Sequence, residues 1–161
     1  MKATKRCLFL HGLDSSSQGV KATYLRQLFP AILTPDFHGS LEDRMFQLCQ
    51  IIGRKRDWTL IGSSFGGLMA TYFACWHPKQ VKKMILLAPA LIWPDLIASP
   101  PPPIDIPVVL YHGTQDTLIP LEQIKPIARQ IFRNLDFHAV EDDHSLLKTF
   151  HTIDWQTLIG C

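Results

Sequence analysis

Residues 58–67, WTLIGSSFGG, predict a buried strand that runs through a sharp turn into a helix. The run 58–61 is short and apolar, and the segment that opens at Phe65 stays apolar over the length of a helix. The turn between them, Gly62-Ser63-Ser64-Phe65-Gly66, matches the pattern G-x-S-x-G, whose expected context is this strand and this helix. Flanking glycines let neighbouring backbone approach Ser64, so the turn can lift its hydroxyl above the sheet. The alternative is a glycine-rich turn without a chemical role.

Apolar runs of the same kind recur along the chain and predict further strands. They cover residues 7–10, 31–34, 84–88, 108–111 and 137–140. Segments with helical spacing lie between or after the runs, at residues 20–29, 41–52, 65–76, 121–132 and 146–159. Continuous apolar runs suit parallel strands that are buried on both faces. We therefore expect an α/β fold: a three-layer sandwich with a mostly parallel, six-stranded sheet and helices on both faces.

The composition is that of one domain with its own apolar core. The chain has 161 residues, of which 47% are hydrophobic and 19% are charged, and its net charge is +2. We expect a single domain over residues 1–161, with a short, proline-rich, cap-like connection at 89–107. The only basic clusters are residues 54–56 and 82–83. Runs this short are typical of solvated surface, so no nucleic-acid partner is predicted.

Cofactor and membrane signals are weak. The four cysteines, Cys7, Cys49, Cys75 and Cys161, form no CxxC pair and no metal-ligand spacing, which favours reduced thiols. Residues 62–67 lack the lysine of a phosphate-binding loop, and no dinucleotide fingerprint occurs. The basic start, residues 1–6, precedes an apolar run too short for a signal peptide, and no segment could span a bilayer. We expect a cytoplasmic protein that needs no metal, organic cofactor or membrane.

A serine hydroxyl needs a base and an acid that orients the base. His144 follows the last predicted strand and precedes the final helix, so it should lie at the same sheet edge as Ser64. Asp116 lies in the loop after strand 108–111 and is the candidate acid; otherwise it is a turn-former. Asp142 and Asp143 compete for that role, but as neighbours of His144 they would reach its ring with difficulty.

An oxyanion formed at Ser64 would need two backbone N–H donors. The residue after the serine, Phe65, should supply one. The loop after the first strand, which begins His11-Gly12, should supply the other, and Leu13 is the candidate. His11 itself has two interpretations, a structural side chain that fixes the loop and a second base, of which we favour the first.

Residues 9–16, 62–67, 112–116 and 143–145 together resemble the α/β-hydrolase superfamily. More narrowly, with residues 21–22 and 35–36, the chain is similar to small single-domain bacterial serine esterases of the YqiA type. The resemblance implies that the first and third predicted strands lie side by side, and that Ser64, Asp116 and His144 form a catalytic triad. The first two antiparallel strands usual in the superfamily have no counterpart, which implies a minimal core.

The substrate side is less defined. The connection 89–107 carries apolar residues including Trp93, and we interpret it either as a flap over an acyl group or as a helical turn packed on the sheet. Asp36 and Trp93 are the candidate substrate-binding residues. A flap this short favours an open site and small or short-acyl esters. Three hypotheses follow: a carboxylesterase acting on a small-molecule ester, a thioesterase or amidase with the same triad, and a non-catalytic interaction module. The sequence predicts no oligomeric state.

Overall fold

The computed structural model describes residues 5–160, and its centre is a sheet of five parallel strands. The strands are β1 (Arg6–Leu10), β2 (Trp58–Ser63), β3 (Val81–Leu87), β4 (Val108–Gly113) and β5 (Leu135–Val140), and they lie in the sheet in this order. Most of the basic start of the chain and Cys161 lie outside the described residues. The first and third predicted strands are neighbours, as the resemblance implies, since β1 pairs with β2 from Arg6↔Trp58 to Leu10↔Gly62.

The expected sixth strand does not form. In the segment 31–34 only Leu33 pairs, through an isolated parallel bridge to Leu8 with backbone hydrogen bonds of 2.8 and 3.0 Å. Pro30 and Pro35 flank the segment, and a proline has no N–H to donate to a ladder. The prediction of six strands is therefore wrong: the sheet has five strands, with one bridged residue on the outer side of β1.

Seven helices connect and cover the described strands. They are α1 (Val20–Leu28), α2 (Leu41–Ile52), α3 (Phe65–Trp76), α4 (Pro94–Ala98), α5 (Leu121–Ile131), α6 (Leu147–Thr152) and α7 (Trp155–Ile159), and a 3₁₀ turn covers Pro78–Gln80. The predicted final helix, 146–159, is thus two helices. Ile153 is extended between them, and the Asp154 side chain caps α7 by accepting from the Thr157 N–H at 3.1 Å.

The strands are apolar on both faces because helices cover both. Along β1, Leu8 and Leu10 belong to one apolar cluster, whereas Cys7 and Phe9 belong to the other. Helices α2 to α5 pack into the first cluster and α1, α6 and α7 into the second. The result is the three-layer arrangement predicted from the continuous apolar runs.

The chain visits both sides of β1 before it continues into the rest of the sheet. After β1 it passes through α1 to Leu33 on the outer side, and it then crosses through α2 to β2 on the inner side. The loops that follow β1 and β2 therefore diverge at their carboxyl ends, where open α/β sheets bind ligands. Among residues 5–160, no helix has both the length and the apolar character needed to cross a membrane.

Candidate active site

Ser64 occupies a strained turn between β2 and α3. Its backbone has φ 53° and ψ −113°, a left-handed conformation that a non-glycine residue adopts only under constraint, and its N–H donates to the Leu87 carbonyl at 2.9 Å. The flanking glycines provide the space. A Cβ on Gly62 would lie 2.6 Å from the Gly66 carbonyl oxygen, and a Cβ on Gly66 would overlap the Leu10 carbonyl. The turn therefore requires both glycines, as the pattern of residues 62–66 indicates.

The three residues singled out as a candidate triad meet at the carboxyl edge of the sheet. The Ser64 Oγ lies 3.0 Å from His144 Nε2, and His144 Nδ1 lies 2.7 Å from Asp116 Oδ2. A carboxylate can only accept, so Nδ1 carries the proton and Nε2 is left to accept from the Ser64 hydroxyl. The Asp116 side chain is fully buried, while the His144 ring is 25% exposed and lies open to the cavity described below.

Backbone groups fix the Asp116 carboxylate in place. Its Oδ1 accepts from the N–H groups of Leu118 at 3.0 Å and Ile119 at 2.8 Å, which leaves Oδ2 for His144. The buried His112 ring lies beside it, with Nε2 3.4 Å from Oδ2 and 2.7 Å from the Ile119 carbonyl. Burial lowers the pKa of His112 despite these contacts, which favours a neutral ring. Contacts other than the hydrogen bond to His144 thus hold the Asp116 carboxylate in position.

The competing acids are engaged elsewhere. Asp142 accepts from the N–H groups of Asp143 and Thr149, each at 2.8 Å. Burial raises the pKa of Asp142, but these hydrogen bonds outweigh it and hold the pKa below its usual range. Asp143 accepts from the N–H and the hydroxyl of Ser145. Both carboxylates shape the loop that carries His144, and neither contacts its ring.

The two candidate oxyanion donors, Leu13 and Phe65, both line the cavity at Ser64. Phe65 is the first residue of α3, and Leu13 lies within the tight turn that the Ser15 N–H closes by donating to the Gly12 carbonyl at 3.2 Å. Within residues 5–160, neither Leu13 nor Phe65 has an acceptor for its backbone N–H, and both residues line the cavity at Ser64. Free N–H groups at such a site can receive a developing negative charge.

His11 has the structural arrangement that we favour. It is 2% exposed, its Nδ1 lies 2.7 Å from the Gly12 carbonyl, and its Nε2 accepts from the Phe37 N–H at 2.9 Å. A ring that donates through Nδ1 and accepts through Nε2 is neutral and has no nitrogen left for proton transfer. The sequence alternative of a second base at this position has no support in these contacts.

A cavity of about 670 Å³ opens above Ser64 and His144. Trp93 lies in its wall, and its ring packs edge-on against Phe65 with the centroids 5.6 Å apart. Ala90 and Ile92 of the same segment also line the cavity. Leu91 and Leu96 follow the other interpretation, because they are buried in the core. The segment therefore both packs on the sheet and borders the cavity.

Asp36, the other candidate substrate-binding residue, lies away from this cavity. The side chain is exposed and does not border the cavity. Its carboxylate accepts from the Ser17 N–H at 2.6 Å and the Ser17 hydroxyl at 2.9 Å, and these hydrogen bonds lower the pKa of Asp36. Asp36 ties the loop after Leu33 to the loop before α1, a contact that local sequence does not reveal.

Two cations near the site were not among the site residues predicted from the sequence. Lys21, in the first turn of α1, lines the cavity. Arg44 is 6% exposed on the buried face of α2, beside Met45 and Leu48. The available signal was a charge on an otherwise apolar helix face. No group of three or more His, Cys, Asp or Glu side chains in the described part of the chain is arranged to hold a metal ion.

Comparison with known proteins identifies the fold. Residues 30–105 match the family model described as the alpha/beta hydrolase fold. A search of curated proteins finds no significant match. The chain thus has the fold that the sequence resemblance implies, and nothing in the comparisons separates the YqiA type from other groups.

Three solved structures are similar over nearly the whole chain. An esterase from Exiguobacterium antarcticum has a TM-score of 0.77 at 14% identity and covers 99% of this chain and 93% of its own. Alpha/beta hydrolase domain-containing protein 10 from mouse has a TM-score of 0.76 at 17% identity, covering 98% and 88%. Est1E from Butyrivibrio proteoclasticus, with bound ferulic acid, has a TM-score of 0.76 at 17% identity, covering 96% and 88%. At these identities the likeness concerns the fold.

Proposed function

We propose that this chain, which has the α/β-hydrolase fold, is a serine hydrolase that cleaves small carboxylic esters. Ser64 is the nucleophile, His144 the general base and acid, and Asp116 the residue that orients His144. The observation that carries the proposal is the chain of hydrogen bonds from Ser64 Oγ to His144 Nε2 at 3.0 Å and from His144 Nδ1 to Asp116 Oδ2 at 2.7 Å.

In the first half of the reaction the Ser64 oxygen attacks the ester carbonyl. His144 Nε2 takes the hydroxyl proton as the new C–O bond forms, and Asp116 stabilises the imidazolium. The carbonyl electrons move to an oxyanion that the N–H groups of Phe65 and Leu13 bind. When the tetrahedral intermediate collapses, the imidazolium gives its proton to the departing alkoxide. An alcohol leaves and the acyl group remains on Ser64.

Water repeats the sequence on the acyl-enzyme. His144 removes a proton from water as the oxygen attacks the acyl carbonyl, the same two N–H groups bind the oxyanion, and Ser64 Oγ departs with the proton held by His144. The products are a carboxylic acid and free enzyme. This chemistry needs no metal or organic cofactor. A single oxyanion donor contributes about 10²–10³-fold in rate in such enzymes.

An ester substrate of modest size is supported by the cavity. Its volume of about 670 Å³ is within the range of small-molecule sites. Leu13 at 53% exposure and Leu118 at 66% border its mouth, so little would grip a long acyl chain beyond it. Two of the similar structures are named as an esterase and as a complex with ferulic acid, which favours an ester over a thioester or an amide.

The test is intact-mass analysis after incubation with a fluorophosphonate probe. We expect one adduct on the wild-type protein, none on Ser64→Ala and much slower labelling of His144→Ala. Ser63→Ala is the matched control, since Ser63 lines the same cavity one residue away, and it should be labelled like the wild type. Absence of an adduct on folded wild-type protein would refute the proposal and favour the non-catalytic interaction module.

A second experiment addresses the bond that is cleaved. We expect hydrolysis of 4-nitrophenyl acetate and butyrate to exceed that of the octanoate ester, a matched thioester and a matched anilide. Faster turnover of the thioester or the anilide would show that the protein is a thioesterase or an amidase with the same triad, and not a carboxylesterase. A preference for the octanoate ester would contradict the proposal that the open cavity favours short acyl groups.

A further inference from the structure

Lys21 shares the active-site cavity with Ser64 and His144. It is half-buried and lies in the first turn of α1, where no acidic side chain is present. The N-terminal end of a helix carries a partial positive charge, so a cation in the first turn is unfavourable unless an anion compensates. Helix α2 differs from α1 in this respect, because its first turn carries the acidic residues Glu42 and Asp43, which the helix dipole favours.

The Lys21 ammonium has no partner within the described part of the chain. It takes part in no ion pair and no hydrogen bond among residues 5–160. The charges of Asp142 and Asp143 act on it favourably, but their carboxylates already accept from backbone N–H groups in the loop that carries His144. All three ammonium protons of Lys21 therefore stay available to a ligand.

The surroundings of Lys21 make an unpaired charge costly. The apolar side chains of Val20 and Leu147 line the same cavity, and burial lowers the pKa of Lys21. Asp14 also borders the cavity, but it is exposed, so water solvates its carboxylate and it does not neutralise the lysine. A ligand that brought an anionic group to the Lys21 ammonium would restore the lost solvation.

We infer that Lys21 binds an anionic group of the substrate, so that the preferred substrate is an ester that carries a carboxylate in addition to the bond cleaved at Ser64. This inference rests on the proposed hydrolase function and adds to it the class of ester. Ser64, His144 and the two backbone donors act on the ester carbonyl, and Lys21 holds the second, charged end of the molecule in the same cavity.

Two pairs of substrates of matched shape test the inference on either side of the ester bond. In the first pair the acyl chain ends in a carboxylate (monomethyl glutarate) or in an isopropyl group (methyl 5-methylhexanoate). Acetoxyacetate and isobutyl acetate differ in the same way on the alcohol side. Hydrolysis is followed by release of the alcohol, with wild-type protein, Lys21→Met and Lys21→Arg.

We expect the wild-type protein to prefer the anionic member of at least one pair. Lys21→Met should lower kcat/KM for that member roughly ten- to hundredfold, mainly through KM, because a charge-assisted contact is lost. Its kcat/KM for the neutral member should fall much less, and Lys21→Arg should restore most of the preference. An equal loss on both members would show that Lys21 supports the His144 loop and would overturn the inference.

Binding to Ser64→Ala separates this inference from the proposed function. The anionic and neutral esters are titrated into Ser64→Ala and Ser64→Ala/Lys21→Met by NMR, where no turnover is required. A Kd for the anionic ester that weakens on loss of Lys21 supports the site even if the wild-type protein hydrolyses nothing. The same Kd in both variants overturns the site even if the wild-type protein is an active esterase.

Discussion

The guanidinium carbon of Arg44 lies 5.3 Å from the centre of the Phe65 ring, and its Nη2 donates to the Leu13 carbonyl at 3.4 Å. One buried cation thereby contacts both residues whose N–H groups are proposed to bind the oxyanion. Its Nε donates to the Gly39 carbonyl at 3.1 Å, whereas its buried Nη1 has no hydrogen-bond partner among residues 5–160. Arg44 connects the loop after β1 to the start of α3, and this connection is the basis of the first prediction.

Arg44→Met should impair turnover without impairing folding. Loss of the contacts to Leu13 and Phe65 lets the two N–H donors shift, and we expect kcat for a good ester substrate to fall about tenfold or more with KM little changed. Arg44 pairs with no carboxylate in the described part of the chain, so removing its buried charge should leave the free energy of unfolding unchanged or raised. Kinetics and urea unfolding on the same preparation measure both. A matched loss of stability and activity would assign Arg44 to the core alone.

Asp116→Asn should nearly abolish activity while the protein stays folded. An amide in place of the carboxylate can hold the His144 ring in the wrong tautomer, and we expect kcat to fall by about 10³–10⁴-fold. Asp143→Asn is the matched control, since Asp143 is the chain neighbour of His144 and its carboxylate accepts hydrogen bonds from Ser145 instead of the His144 ring. It should retain activity within a fewfold. The reverse ranking of the two variants would transfer the orienting role to Asp143.

Gly62→Ala should destabilise the protein far more than Gly12→Ala. A Cβ on Gly62 would lie 2.6 Å from the Gly66 carbonyl oxygen, a backbone atom that cannot move without displacing α3, whereas a Cβ on Gly12 would meet Ser64 Cβ at an ordinary 3.6 Å. We expect a loss of about 3 kcal/mol or more at Gly62 and less than about 1 kcal/mol at Gly12. Chemical denaturation measures the difference. Equal losses would mean that the turn relaxes around the added methyl group.

The free energy of unfolding should fall in mild acid because of His112. Burial holds the pKa of His112 below its ordinary value of 6.5, so the unfolded chain takes up the proton first as the pH falls. This contribution to stability is complete above about pH 6.5 and is lost as the pH falls through the pKa of the folded state.

His112→Gln should show a weaker loss of stability between neutral and mildly acidic pH than the wild type. Glutamine keeps an N–H for the Ile119 carbonyl but does not titrate. His38→Gln is the control, because the His38 side chain is exposed and its slope should match that of the wild type. Unfolding by urea at several pH values gives the slopes. Parallel curves for wild type and His112→Gln would exclude His112 as the source.

Local sequence determined strand β2, the turn and the helix at residues 58–76. Short-range sterics decide a turn of this kind, because Gly62 and Gly66 permit close backbone contacts that any larger residue forbids. Local effects also explain why one of the predicted strands, at residues 31–34, does not form. The apolar run 31–34 has the composition of a strand, but only Leu33 pairs, since flanking prolines restrict the segment. The composition of a run does not reveal how many of its N–H groups find partners.

The candidate site also has one part that local sequence predicts and another part that depends on tertiary packing. Strand ends, chain order and residue type were enough to single out Ser64, Asp116 and His144 as the residues that would meet, because parallel strands bring their carboxyl ends to one edge. The sequence could not show that Asp36 binds Ser17. Nor could it show that Lys21 from α1 lines the cavity at Ser64, or that Arg44 from α2 contacts Phe65. Those contacts depend on how two helices on opposite faces of the sheet are placed around the point where the chain reverses direction at β1. Packing of the whole core decides that placement, and no local pattern encodes it.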